Sequence, residues 1–124
     1  MPVIRRDEAK VTEDRGNRYA PLAGEHSGAF ELMVIHTTKD SGANTVAHSH
    51  DREEIVVILA GNGTFSIGFE SHQVGPGDTV IIPPGAVHQV SVEGDEPLEA
   101  MLIKPNGIRF FDPDGLEYTP TWMP

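Results

Sequence analysis

Glycine and proline break this sequence at short, regular intervals, and that spacing constrains the fold more than any other feature. The segments between the breaks are apolar and rich in β-branched residues, and none shows the period of a long amphipathic helix. Residues 30–37 read FELMVIHT, Glu54–Ala60 read EIVVILA, and Thr79–Ile82 form a shorter apolar run. Each is predicted to be a strand, because branched and aromatic side chains suit a pleated, half-buried surface. In residues 64–69, Phe65, Ile67 and Phe69 alternate with Thr64, Ser66 and Gly68, which predicts a strand with the three large side chains on one face. Residues 45–50 are predicted to be extended, and 87–92 and 98–103 to be further strands. Residues 39–44 and 74–78 read as turns, and Gly61-Asn62-Gly63 as a tight hairpin, since Asn and Gly tolerate positive φ. About eight short strands at regular spacing predict an all-β sandwich or barrel. Residues 31–35 would make a sticky edge unless another strand covers them.

The chain has the length of one domain and no linker-like segment, so residues 1–124 are expected to form a single unit. Residues 1–20 are polar and read as an arm or an edge strand; residues 105–124 read as a tail. Tyr118 and Trp122 are expected to pack that tail onto the barrel or onto a partner chain. The sequence contains no cysteine, which excludes disulfides, thiolate metal sites and cysteine nucleophiles. Its formal net charge of −10 repels phosphate backbones, so nucleic-acid binding is not expected. No apolar run approaches the ~20 residues that span a bilayer, and no signal peptide is visible. The sequence therefore reads as a soluble cytoplasmic protein.

Two linked patterns carry chemistry. The first is Gly42-x5-His48-Ser49-His50-x3-Glu54-x6-Gly61, and the second is Gly77-x5-Pro83-x-Gly85-x2-His88. On an extended segment, residues of equal parity share a face, so His48, His50 and Glu54 converge while Glu53 points away. His88 arrives from a separate strand after a Pro-Gly turn that re-aims the chain. Three imidazoles and one carboxylate suit Fe, Mn, Co, Ni, Cu or Zn rather than calcium. A six-coordinate ion held by these four would keep two positions for water, substrate or dioxygen.

The order and spacing of these residues resemble the two motifs of the cupin superfamily. The intermotif gap, Asn62 to Pro76, is 15 residues, similar to the short gap of small single-domain bacterial cupins. The resemblance covers residues 42–88. It implies an antiparallel double-sheet β-barrel of jelly-roll type, with His48, His50, Glu54 and His88 as the metal ligands in its mouth. The second motif of that superfamily usually ends in Asn, where this chain has Val92, so a polar contact at the wall is expected to be lost. The resemblance also implies a homodimer and a small-molecule substrate.

The leading functional expectation is a metal-dependent enzyme on a small organic molecule, either a dioxygenase (an oxidoreductase) or an isomerase, cyclase or lyase. Glu54 would serve as ligand and as catalytic base. The alternative is a non-catalytic module that binds a sugar or organic acid. Val56, Ile58, Phe65, Ile67, Phe69 and Val80 read as core rather than pocket. Met33, Met101 and His36 are candidates for the barrel mouth, with His36 as an acid/base if it lies there. His26 and His72 fall in loop-like sequence. Asp112-Pro113-Asp114-Gly115 reads as a turn; Pro113 and the missing acid at the twelfth position argue against a calcium loop.

Overall fold

The computed structural model describes residues 1–43 and 45–124. Among them are twelve strands, numbered here in chain order: β1 (Thr12–Asp14), β2 (Asn17–Ala23), β3 (Leu32–Lys39), β4 (Ser49–His50), β5 (Glu54–Ala60), β6 (Asn62–Ile67), β7 (Glu70–Val74), β8 (Thr79–Ile82), β9 (His88–Glu93), β10 (Leu98–Pro105), β11 (Phe110–Phe111) and β12 (Glu117–Tyr118). Two single-turn 3₁₀ helices, Arg6–Glu8 and Glu25–Ser27, are the helical elements.

One wall is a six-stranded antiparallel sheet in the order β1-β2-β3-β10-β5-β8. Opposite it lie two three-stranded sheets, β7-β6-β9 and β12-β11-β4. A single antiparallel bridge between His48 and His88 joins these two along a seam, so together they make the second wall. The result is the expected all-β double-sheet jelly roll. Its main core, Val56, Ile58, Phe65, Val80, Ile82, Val90, Leu98 and Ala100, fills the space between the walls. A second cluster of Met33, Ile35, Ile108, Phe110 and Trp122 closes one side.

Several local expectations give way to tertiary structure. Gly61 does not close a hairpin: β5 pairs with β10 and β8, whereas β6 pairs with β7 and β9. Gly61 is a corner where the chain leaves one wall for the other. Its φ is +79°, and a Cβ there would stand 2.3 Å from the Pro97 carbonyl oxygen, so both conformation and space demand glycine. The hairpin lies one strand later, at Gly68-Phe69 between β6 and β7. Phe69 therefore sits at its tip, fully exposed, rather than beside the buried Phe65.

The strand expected at 30–37 runs instead from Leu32 to Lys39, leaving Phe30 outside it and 95% exposed. This makes Lys39 a buried strand residue rather than part of a turn; Asn44, the last residue of that expected turn, lies outside the described residues. β3 is also no edge. It is covered by β2 and β10, which removes the edge-pairing argument for a homodimer. The N-terminal region supplies β1 and most of β2, and the tail folds back with Trp122 stacked on Tyr19 at 5.0 Å between ring centroids. Asp112 makes the expected turn, its carboxylate accepting from the backbone N–H groups of Asp114 and Leu116.

Candidate metal centre

His48, His50, Glu54 and His88 meet at one point: one donor atom from each lies within 4.8 Å of the others. The seam explains this meeting. His48 and His88 exchange backbone hydrogen bonds across it, 3.1 and 2.8 Å, which sets their rings side by side at 4.2 Å between centroids. His50, two residues on, shares the face of His48 and pairs across β11 with Phe110. The chain bends at Asp51 and Arg52, and β5 then begins at Glu54, which is 3% exposed while Glu53 is exposed. Gly85, with φ +80°, lets the turn before His88 double back, and its N–H donates to the His50 carbonyl at 2.8 Å.

The hydrogen bonds on the outer side of each ring fix its tautomer. Nδ1 of His48, His50 and His88 lies 2.8, 3.1 and 3.0 Å from the carbonyl oxygens of Val46, Arg109 and Ala86. A carbonyl only accepts, so Nδ1 carries the hydrogen and the neutral ring leaves Nε2 as a bare lone pair. Nε2 of His50 and His88 is buried without a hydrogen-bond partner, although Glu54 Oε1 stands 3.5 and 3.3 Å away. Lone pairs facing a carboxylate oxygen in a buried site repel one another unless a cation sits among them. The donor set thus fits a divalent transition metal. Burial and the neighbouring His88 push the His48 ring down to about 3, so it stays neutral and able to ligate through the neutral pH range.

Two lysines belong to this cavity and were not singled out by the motifs. Lys104, 2% exposed on β10, places Nζ 2.7 Å from Glu54 Oε2. Burial alone would raise the Glu54 carboxyl, but the Lys104 ammonium and the two imidazoles hold it well below the usual carboxylate range. Lys39, on β3, donates to Asn17 Oδ1 at 3.2 Å and Tyr19 Oη at 3.0 Å. Strand alternation was the available signal for Lys104, since Leu98, Ala100 and Leu102 precede it on the inward face. No such signal marked Lys39, whose strand was expected to end before it.

His48, Glu54, His88 and both lysines line one cavity of about 400 Å³, with Tyr19, Val56, Phe65, Leu102, Phe110 and Trp122 among the other lining residues. His36 is not among them. It lies on the other face of β3, its Nε2 2.8 Å from Glu99 Oε1, with Met101 opposite it on β10. Met33 is buried in the second core cluster. His26 lies on a 3₁₀ turn, and His72 is exposed on β7 beside Glu70. Val92, where the cupin motif carries Asn, packs against the main core.

Lys39 gives the cavity a measurable pH signature. Burial, reinforced by Lys104, pushes its ammonium down from 10.5 to about 8. Below that value both folded and unfolded chains carry the charge, and the full cost of burying it is present. As pH rises through 8 the folded chain sheds the proton first, so stability rises by up to about 1.4 kcal/mol per pH unit. Above 10 the trend reverses, because burial pushes Tyr19 up to about 12 and the unfolded tyrosine ionises first. Lys39→Met should therefore be more stable than the parent at neutral pH, with a gap in urea midpoint that narrows as pH rises from about 8 towards 10.5. A gap of constant size would contradict the burial of a charged Lys39.

Comparisons with known proteins agree with this architecture. A family model described as "Cupin domain" matches residues 26–104. An uncharacterized protein of Methanocaldococcus jannaschii is 38% identical over 61 residues, 48% of this chain and 49% of that one. Acireductone dioxygenase of Schizosaccharomyces pombe is 37% identical over 61 residues, 45% of this chain and 34% of that protein. The chain thus spans about half or less of the curated relatives it matches. Among solved structures, the polyketide cyclase RemF from Streptomyces resistomycificus superposes with a TM-score of 0.75 at 20% identity, covering 87% of this chain and 81% of that one.

Proposed function

The chain belongs to the cupin domain family, and from that premise we propose that it is a metal-dependent enzyme acting on a small organic molecule. One observation carries this reading: three imidazoles with their Nε2 atoms left bare, and one buried carboxylate, meet beside a cavity large enough for a small ligand. A divalent transition metal held by His48, His50, Glu54 and His88 supplies Lewis acidity toward a carbonyl or carboxylate, or, as Fe(II), Ni(II) or Cu(II), a site for dioxygen.

The chain's own residues have separable parts. The carbonyls of Val46, Arg109 and Ala86 aim the three rings. Lys104 takes one oxygen of Glu54 and leaves the other facing the imidazoles. With Oε2 held by Lys104, Glu54 can act as a base through Oε1 only by turning that oxygen away from the imidazoles, which makes ligation its ground-state part. The apolar wall keeps water away from the bound molecule.

Elemental analysis of the purified protein should find close to one transition metal per chain. His88→Ala should lower that content about tenfold or more while the β-sheet circular dichroism signal persists. Unchanged metal content in the variant would remove His88 from the ligand set. With the metal known, oxygen uptake across catechols, diketones and thiols separates dioxygenation from redox-neutral isomerase, cyclase or lyase chemistry. Tight ligand binding with no turnover of any kind would replace the enzyme by a binding module.

A further inference from the structure

We propose that Lys39, supported by Tyr19, is an anion-recognising residue of the cavity, so that the molecule taken there is a small organic acid with a carboxylate or phosphate group at one end and an apolar body. The inference rests on the reading of the His–Glu cluster as a metal centre in the same cavity. It deepens that reading by naming the class of ligand.

The buried charges of the cavity do not balance: two ammoniums, Lys39 and Lys104, are set against one carboxylate, Glu54. Lys39 is 8% exposed, and the partners of its Nζ are neutral: Asn17 Oδ1, Tyr19 Oη, and the face of the Tyr19 ring at 4.8 Å from Nζ to centroid. An ammonium has three hydrogens to donate, and two are engaged. Among the described residues no carboxylate stands within ion-pair distance of it. Every carboxylate that lines the cavity is committed elsewhere. Glu54 is taken by Lys104 at 2.7 Å, Asp14 by Arg15 at 3.2 Å, and Asp112 by two backbone N–H groups in its own turn.

A buried ammonium without a counterion is costly, and in a chain of net charge −10 the surface offers many places for a lysine to meet an acid. Lys39 instead stands on the inner face of β3, lining the same cavity as His48, Glu54 and His88. A divalent ion at the cluster would add to the positive excess. An anionic group of the ligand would offset part of that excess, accept the remaining Lys39 hydrogen, and gain strength from the low dielectric of the site. The remaining lining, with Val56, Phe65, Val90, Leu102, Phe110 and Trp122, accommodates an apolar body.

The test uses calorimetric titration of benzoate, phenyl phosphate and neutral benzamide into the purified protein, with and without its metal. Benzoate or phenyl phosphate should bind the parent about tenfold or more tighter than benzamide, the value of one charge-assisted hydrogen bond. The tighter of the two anions identifies the group. Lys39→Met should erase that preference while leaving benzamide unchanged, and Lys39→Arg should keep most of it. Equal binding of all three probes, no binding of any, or a preference that survives in Lys39→Met would each overturn the proposal. Metal content separates the two readings. Protein that takes up no transition metal yet shows a Lys39-dependent anion preference would sink the metal centre alone, and full metal occupancy with no Lys39 dependence would sink the anion subsite alone.

Discussion

Lys104→Met should destabilise the metal-free protein by about 3–5 kcal/mol, the cost of stranding one member of a buried ion pair. Lys104 and Glu54 are 2% and 3% exposed, and their 2.7 Å contact is the close pairing of opposite charge on Glu54. Methionine matches the lysine stem in length and leaves no large void, so the loss reports the charge. What remains around Glu54 is two bare imidazole nitrogens, which repel a carboxylate. Adding Glu54→Gln to Lys104→Met should recover most of the loss, because the orphaned charge is then gone. Urea unfolding of the two variants beside the parent measures both effects. A loss below about 1 kcal/mol for Lys104→Met would mean that the pair does not hold Glu54 in the folded chain.

That pair also marks the boundary of what could be read without the fold. The even spacing of His48, His50 and Glu54 selected the carboxylate that meets the imidazoles, although the chain bends between the second and third residues rather than staying extended. The parity survived because the bend at Asp51 and Arg52 returns the chain to the same side. His88 was legible because its turn glycines and proline keep their local geometry wherever the strand lies. Lys104, Lys39 and the Arg109 carbonyl were not legible as site groups. Lys104 and Arg109 lie far along the chain, Lys39 lies on a strand expected to end before it, and only sheet register brings them in.

The strand runs were legible from composition, but their partners were not. A residue such as Gly61 carries the same local signal whether the chain turns back on itself or crosses to the opposite wall. His36 shows the same limit: one position along β3 separates the inward face from the outward one, and the expected strand carried no marker of which was which.

Gly61→Ala should cost about 3–5 kcal/mol, an exceptional loss for one added methyl group. Two effects combine. At φ +79° a Cβ costs about 1–2 kcal/mol in backbone strain alone. It would also stand 2.3 Å from the Pro97 carbonyl oxygen and 2.9 Å from Leu98 Cα, both backbone atoms that cannot rotate away. Pro97 and Leu98 lead into β10, which lies between β3 and β5 in the six-stranded wall, so the displacement would spread into the strand that carries Lys104. Thermal unfolding gives the stability loss. Gly94→Ala is the control: Gly94 has a similar φ of +76° but open space around its missing Cβ, so it should show the strain without the collision. Equal losses at the two positions would refute the collision.

The cavity draws its walls from residues as far apart in sequence as Asp14 and Trp122, with Tyr19 and Trp122 stacked together. This has a consequence for how the protein comes into being. On the ribosome, His48, His50, Glu54 and His88 all emerge before Lys104, Arg109 and Phe110, which neutralise, aim and cover them. At ordinary synthesis rates that interval is on the order of seconds. During it β5 lacks its β10 neighbour and presents an apolar edge to the surroundings. The segment made after the four ligands is therefore the one that turns an exposed cluster into an enclosed site.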